Sequence, residues 1–403
     1  MKAATLRKNR NMIGLFNDCF PPIMDGVSVT TSNYAYWLNR KRGDVCVVTP
    51  QAPAATDDNG YPVYRYLSLP IPMRKPYRLG FPRIDWPFHK QISKIPFELV
   101  HAHCPFSSGA IARNIARSNG IPMIATFHSK YRSDFERIIP NRYMIDHLIR
   151  NIVAFYEQAD EVWIPQASVE DTLREYGYRG KVEVVDNGND FSGTPYSIHL
   201  KAEAKQRLGL TPDIPLLLFV GQHIWEKNVG FLLHALARMK EIPFRMIFVG
   251  TGYAAEEMKQ LADKLGLTTS TAGDARPPKV SFAGVISQRE VLKQYYLAAD
   301  LFLFPSLYDN APLVVREAAA LHTPSILLQG STAAEIVSDG INGFLSTANE
   351  EIYANKITGL LARPQLIESA GACAAQSLAR SWGDIAEEVN DRYNHLIQRH
   401  HPN

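Results

Sequence analysis

The chain has 403 residues, more than one hydrophobic core usually accommodates, so two domains of roughly 200 residues each are expected. Its 46% hydrophobic and 21% charged residues match an ordinary globular protein, and a net charge of +3 without a run of like charges excludes nucleic acid as a partner held by bulk charge. No apolar run approaches the ~20 residues that span a bilayer. In chain order, the cations Lys2, Arg7, Lys8 and Arg10 precede an apolar run of only Met12 to Phe16, shorter than the ~7–15-residue core of a signal peptide. That run is the first predicted strand, and Ser28–Arg40 has helical period after it. Val45–Thr49, Leu99–His103, Met123–Phe127, Glu161–Ile164 and Val182–Val185 follow as strands, with Ile111–Ser118 among the helices between them. This alternation predicts parallel βαβ units.

Polar, proline-containing sequence from Phe191 to Pro215 interrupts the rhythm and is taken as a linker. The rhythm then restarts: strand Leu216–Val220, helix Asn228–Met239, and strands Arg245–Val249, Val280–Phe282, Leu301–Phe304 and Ser325–Leu328. A polar loop at 268–278 and an amphipathic helix around Trp382–Gln398 complete the chain. The fold class is therefore α/β, with two doubly wound, Rossmann-like domains. In such folds ligands bind beyond the carboxyl ends of the strands and at domain interfaces. Cys19, Cys46, Cys104 and Cys373 lack any paired spacing and are read as buried thiols of a reducing compartment.

The segment FPSLYDNAPLVVREAAA at 304–320 places two acids, Asp309 and Glu317, around a helix that opens at Leu313 straight after a strand and a tight loop. The free N–H groups and positive dipole end of such a helix suit a diphosphate. With GSTAAEIVSDGINGF at 330–344, this segment resembles the signature of glycosyltransferase family 4, whose two acids are normally both glutamates, and the resemblance extends over essentially the whole chain. It implies a GT-B fold, two Rossmann-like domains facing across a cleft. The expected division is 1–190 for acceptor binding, 191–380 for nucleotide-sugar binding, and 381–403 as a helix returning to the first domain.

The resemblance assigns Glu317 to the ribose hydroxyls and Asp309 to the vicinity of the donor sugar, with Asn310, Leu313 and Val314 at the donor. On spacing alone, both acids would equally suit the first turn of any helix. VGQHIWEKNV at 220–229 resembles the family's strand-to-helix loop, where Gly221 allows a close turn beneath a ligand and Lys227 meets the diphosphate as a point charge. Relatives usually carry arginine where this chain has Gln222. His223, if protonated, or Lys227 alone would then neutralise the leaving group. Gly252 in the GTG turn at 250–252 and Val285 in FAGVI at 282–286 are further donor candidates, and Pro312 replaces a frequent glycine.

In the first half, PPIMDGVS at 21–28 resembles family members that glycosylate lipids. Gly26 is its only glycine, and Ser28 is the expected N-cap. His128 in ATFHSK at 125–130 matches the family's active-site histidine, which donates a hydrogen bond to the reacting sugar. His101 and His103 lie on one face of a strand and read as a polar strand end rather than a metal site. DNGND at 186–190 lacks the glutamate of a calcium loop and reads as a closing turn.

No Asp-X-Asp triplet occurs, so the expected reaction needs neither metal nor cofactor. No carboxylate is placed for a double displacement, and same-face substitution with retention follows from the resemblance. The expected activity is transfer of a hexose from a nucleotide diphosphate sugar, UDP-sugar foremost, to a lipid or glycan hydroxyl. A catalytically silent binding or scaffold subunit is the alternative. Between Tyr64 and Lys94 the cations Arg65, Arg74, Lys75, Arg78, Arg83, Lys90 and Lys94 alternate with Tyr66, Tyr77, Phe81, Trp86 and Phe88. That mixture suits an anionic membrane surface, so a cytoplasmic enzyme touching the inner face of the cell membrane is expected. Helix 144–156, with Ile145, Leu148, Ile152 and Tyr156 in a stripe, reads as core-facing.

Overall fold

The computed structural model of the protein describes residues 11–71, 76–239, 241–268 and 278–400. Lys2, Arg7, Lys8, Arg10, Arg74 and Lys75, and all but the edges of the polar loop at 268–278, lie outside these residues. The chain divides into two compact units, Met1–Asn187 with Trp382–Asn403, and Gly188–Ser381.

In the first unit the order is β1 (Met12–Phe16), α1 (Gly26–Arg42), β2 (Val45–Pro50), β3 (Val63–Tyr66), β4 (Ser68–Pro70), β5 (Arg78–Gly80), α2 (Trp86–Ile92), β6 (Phe97–Ala102), α3 (Ser107–Asn119) and β7 (Met123–Thr126). Then come α4 (Tyr131–Glu136), α5 (Arg142–Tyr156), β8 (Glu161–Ile164), α6 (Val169–Glu175) and β9 (Glu183–Val184). Seven strands form one sheet in the order β3-β2-β1-β6-β7-β8-β9, every pair parallel. Gly14 of β1 stands opposite Cys46 on one side and Val100 on the other. All six residues of β2 are buried, the continuous apolar run expected of a parallel strand covered on both faces. Strands β4 and β5 form a separate antiparallel hairpin.

The second unit holds α7 (Ile198–Arg207), β10 (Leu216–Val220), α8 (Val229–Arg238), β11 (Arg245–Val249), α9 (Ala255–Lys264), β12 (Val280–Gly284), α10 (Arg289–Ala298) and β13 (Leu301–Phe304). It continues with α11 (Leu313–Ala320), β14 (Ser325–Leu328), β15 (Phe344–Ser346), α12 (Glu350–Leu361) and α13 (Pro364–Leu378). Its six parallel strands run β12-β11-β10-β13-β14-β15. The last helix, α14 (Trp382–His400), packs on α1 within the first unit and buries Trp382, Ile385, Val389, Tyr393 and Leu396.

Three expectations need correction. The stretch 191–215 is no bare linker, because α7 lies in it, and the first unit's unbroken run ends at Asn187. Lysines hid the helix: Lys201 and Lys205, one turn apart on its buried face, both bind Asp300 at 2.8 Å. Burial pushes the Asp300 carboxyl up, but the two ammonium groups outweigh it and hold it below its ordinary value. The N-cap of α1 is Asp25, whose carboxylate accepts from Ser28 N at 2.8 Å, while the Ser28 hydroxyl donates to Ile23 O. Cys19, Cys46 and Cys104 are buried thiols as read, whereas Cys373 sits on the exposed side of α13. Helix α5 turns Ile145, Ile149, Ile152, Val153 and Tyr156 into the core, with Leu148 half-buried at the margin, so its stripe is a packing face.

Candidate active site

In each sheet the chain reverses direction at one point, which leaves a crevice at the carboxyl ends of two adjacent strands. In the second unit that point lies between β10 and β13. The loop after β10 makes a single 3-10 turn, Trp225–Lys227, and the loop after β13 leads into α11. One ion pair spans the crevice: Lys227 Nζ lies 2.7 Å from Asp309 Oδ1 and 2.9 Å from Oδ2. The Ser306 hydroxyl donates to Asp309 Oδ2 at 2.6 Å, and the Lys227 ammonium sits 5.1 Å from the centre of the Phe304 ring. Two residues read from sequence as separate ligands therefore hold each other.

Beside this pair, α11 begins with Pro312 as N-cap and no side chain capping it. The N–H groups of Leu313 and Val314 open the helix, where partial positive charge collects. Asn310 is buried in the loop just before. Glu317, one turn in, is 5% exposed and has both oxygens engaged: Arg289 donates to Oε1 at 2.6 Å and the Tyr296 hydroxyl to Oε2 at 2.8 Å. Arg289 also pairs with Asp190 at 2.9 Å and lies over the Phe191 ring. The guanidinium is thus shared between two acids, one of them in the DNGND turn, and offsets only part of their charge. Each Glu317 oxygen retains a second lone pair, so ribose hydroxyls remain acceptable partners.

Three loops at the carboxyl ends of β10, β11 and β12 stack through backbone groups. Gly221 N donates to Val249 O, and Gly250 N to Gly284 O at 2.8 Å. A Cβ at Gly250, where φ is 132°, would overlap the Gly221 carbonyl oxygen, and one at Gly252 would overlap that of His223. Gly252 is therefore required by packing. At Gly221 a Cβ meets Phe219 and Lys227 at ordinary contact distance, and it is the φ of 158° that favours glycine there. Val285, next to this platform, is 66% exposed. His223 is buried among the Phe219, Phe248 and Phe282 rings, and burial, then the charge of Lys259, pushes its imidazole down to about 4. It is neutral near pH 7 and does not replace the arginine missing at the exposed Gln222.

In the first unit the reversal lies between β1 and β6. Asp18, just after β1, spans it. Its Oδ1 accepts from Ser108 N at 3.0 Å, the Tyr66 hydroxyl at 2.9 Å and the Ser107 hydroxyl, and Oδ2 accepts from the Cys104 thiol at 2.6 Å. The amino end of α3 is therefore already capped by a carboxylate. Gly26 opens α1, and a Cβ there would meet nothing within 4 Å.

His128, two residues past β7, has Nε2 3.2 Å from His103 Nδ1, and His103 stacks on His101 with centroids 4.2 Å apart. His101 is locked at both nitrogens, by Tyr393 of α14 and by Thr126, each at 2.6 Å. Desolvation pushes His128 down to about 3; burial and the neighbouring imidazoles hold His103 well below its ordinary value, and burial and His128 do the same to His101. All three are neutral at pH 7, so His128 offers a hydrogen bond rather than a charge. Among the described residues no cluster of three or more His, Cys, Asp or Glu could hold a metal.

Sequence reasoning missed Asp18, Ser306, Arg289, Tyr296 and Tyr393. The one signal available for Asp18 was an acid directly after a strand that flanks a reversal. The others join elements that only the fold brings together.

Against known families, residues 24–192 match the model described as Glycosyltransferase Family 4, and residues 214–363 match Glycosyl transferases group 1; together they cover most of the chain. The chain is 24% identical over 363 residues to alpha-monoglucosyldiacylglycerol synthase of Streptococcus pneumoniae, covering 88% of this chain and 80% of the relative. Identity to the synthase of the same name from Acholeplasma laidlawii is 24% over 362 residues, with 86% and 87% covered. Among solved structures, Anabaena HepE in complex with UDP and glucose superposes with a TM-score of 0.75 at 18% identity, covering 96% of this chain and 100% of HepE. With two parallel, Rossmann-like units and both family models matched, the chain belongs to the family 4 glycosyltransferases of the GT-B fold.

Proposed function

We propose that this glycosyltransferase moves a hexose, foremost glucose, from a UDP-sugar to a hydroxyl of a membrane lipid, with retention of configuration and without a metal ion. The observation that carries the reading is the Lys227–Asp309 pair beside the uncapped amino end of α11. A diphosphate seated on the Leu313 and Val314 N–H groups would take a share of the Lys227 ammonium. Asp309, partly released, would then accept from a sugar hydroxyl. Glu317, its charge partly offset by Arg289, would accept from the ribose hydroxyls. His128 would donate from its neutral imidazole to the sugar as positive charge develops on it. The β-phosphate oxygen that leaves the anomeric carbon takes the acceptor proton, so no protein carboxylate is needed as a base.

Relatives named for glucosylation of a diacylglycerol, and a neighbour solved with UDP and glucose, support the donor and acceptor classes. A peripheral membrane contact is supported by Leu69, Leu79, Ile84 and Trp86, each more than half exposed on the β4–β5 hairpin and at α2, with the exposed cations Arg83, Lys90 and Lys94 in the same stretch of chain. Each cation near an anionic surface contributes about 1 kcal/mol. No helix among the described residues is long and apolar enough to cross a membrane.

The test is turnover with a panel of UDP-, GDP- and ADP-hexoses and diacylglycerol in mixed vesicles, with and without EDTA, and proton NMR of the product's anomeric signal. UDP-hexose turnover that survives EDTA and yields the α-anomer from an α-donor is expected. Inversion, strict metal dependence, or turnover with glycan acceptors alone would each overturn the corresponding part.

A further inference from the structure

Within the first unit, a groove of about 640 Å³ runs along the outer face of α3. Ser107, Ala110, Ile111, Asn114, Ile115 and Ser118 line it, spaced three and four apart, so one face of the helix forms the floor over its full length. That length is about 18 Å at 1.5 Å per residue. Phe81, Ile84, Ile92 and Phe97 form the opposite wall. At one end Gly80 brings β5 against Ser107, where a Cβ would clash, and the Ser107 hydroxyl binds Asp18 at the strand reversal. The groove therefore starts beside the polar loops of this unit and continues as an apolar channel.

Its rim is basic. Arg83, Lys90 and Lys94 are exposed, and none makes an ion pair among the described residues. The one acid in that segment, Asp85, spends its oxygens on the backbone N–H groups of Leu67 and Phe88. Trp86 stands 78% exposed and Ile84 73%. A long apolar channel whose lining includes an exposed arginine without an acid partner matches an amphiphile with a negative head.

We propose that this groove holds one acyl chain of an anionic membrane lipid, its head group against Arg83. The inference deepens the lipid-acceptor reading and takes its biological sense from it, but its chemistry can be tested separately.

The experiment measures binding of a dansyl-labelled long-chain fatty acid to the full chain, by fluorescence, beside a dansyl-labelled long-chain alcohol as the uncharged control. Ala110→Phe and Ile115→Trp fill the groove. Each is expected to weaken the fatty acid about tenfold or more, as displacing about two buried methylenes would. Arg83→Gln is expected to weaken the fatty acid several-fold and leave the alcohol unchanged. Unaltered UDP binding and circular dichroism establish that each variant is folded.

No saturable binding to the wild-type chain, or wild-type binding by both filled variants, overturns the proposal. Equal binding of acid and alcohol, both insensitive to the charge substitution, overturns the anionic head group. The two readings separate cleanly. Wild-type fatty-acid binding by the filled variants, with lipid glucosylation intact, sinks the groove alone. Chain binding that is lost on filling, in an enzyme that glycosylates only water-soluble glycans, sinks the lipid acceptor alone.

Discussion

Replacing Lys227 with methionine leaves Asp309 facing the crevice without its cation. The two side chains are 10% and 19% exposed, so the pair lies between a surface pair, about 0–1 kcal/mol, and a fully buried one, whose breakage costs about 3–5 kcal/mol. Asp309 keeps its bond from Ser306, so a loss near 2 kcal/mol is expected, or about 4–8 °C in the melting of a unit this size. Asp309→Asn should cost less, because the amide retains the shape, and the double variant should recover about 1 kcal/mol relative to the sum. Unfolding of two units is not a single two-state event, so scanning calorimetry should compare transition midpoints.

Titration calorimetry with UDP then separates function from stability. Lys227→Met should weaken UDP at least tenfold. Asp309→Asn should strengthen it by about fivefold, since removing about 1 kcal/mol of repulsion frees the ammonium for the diphosphate, while turnover falls. If Asp309→Asn weakens UDP as much as Lys227→Met does, the shared-cation reasoning is wrong.

Three further expectations follow from the geometry. His101, His103, His128 and His223 all have folded-state values depressed below about 6.5, so the unfolded chain binds more protons on acidification. Stability that is complete above pH 6.5 should fall as pH drops toward 3, by up to about 1.4 kcal/mol per pH unit per histidine, and His103→Gln should lower that slope by one such increment in acid-unfolding curves. Gly250→Ala forces a Cβ into the Gly221 carbonyl at a positive φ and should cost over 2 kcal/mol with loss of UDP binding, read by calorimetry; an undisturbed variant would refute the stacked-loop platform. Glu317→Gln should leave UDP binding weakened more than binding of a 2′,3′-dideoxy analogue, and equal losses would argue against contact with the ribose.

The positions of most strands were legible because parallel strands buried on both faces are short, unbroken apolar runs, whereas β3 and β15 went unread. Leu216–Val220 and Leu301–Phe304 were read with their observed ends. Helix α7 was not legible, since its buried face is built from lysines whose partner, Asp300, lies far along the chain. At the site, motif spacing brought Lys227, Asp309 and the Leu313 helix to one crevice, but the direct pairing of the first two depends on β10 and β13 being neighbours. Likewise nothing in the residues around Glu317 announces Arg289, which reaches it from a different helix, or Asp190 of the DNGND turn, which shares that guanidinium. His103 and His101 were read as a polar strand end; their stack onto His128 depends on the alignment of β6 with β7. Ser28 was mistaken for the cap because Asp25, three residues earlier, performs that role equally well in chemistry and better in position.

The most direct measurement is a crystal structure of the chain with UDP. The β-phosphate should rest within hydrogen-bond reach of the Leu313 and Val314 N–H groups and of Lys227 Nζ, with the ribose hydroxyls on Glu317. UDP found elsewhere, or bound with the Lys227–Asp309 pair intact and remote from it, would contradict the assignment of this crevice to the donor.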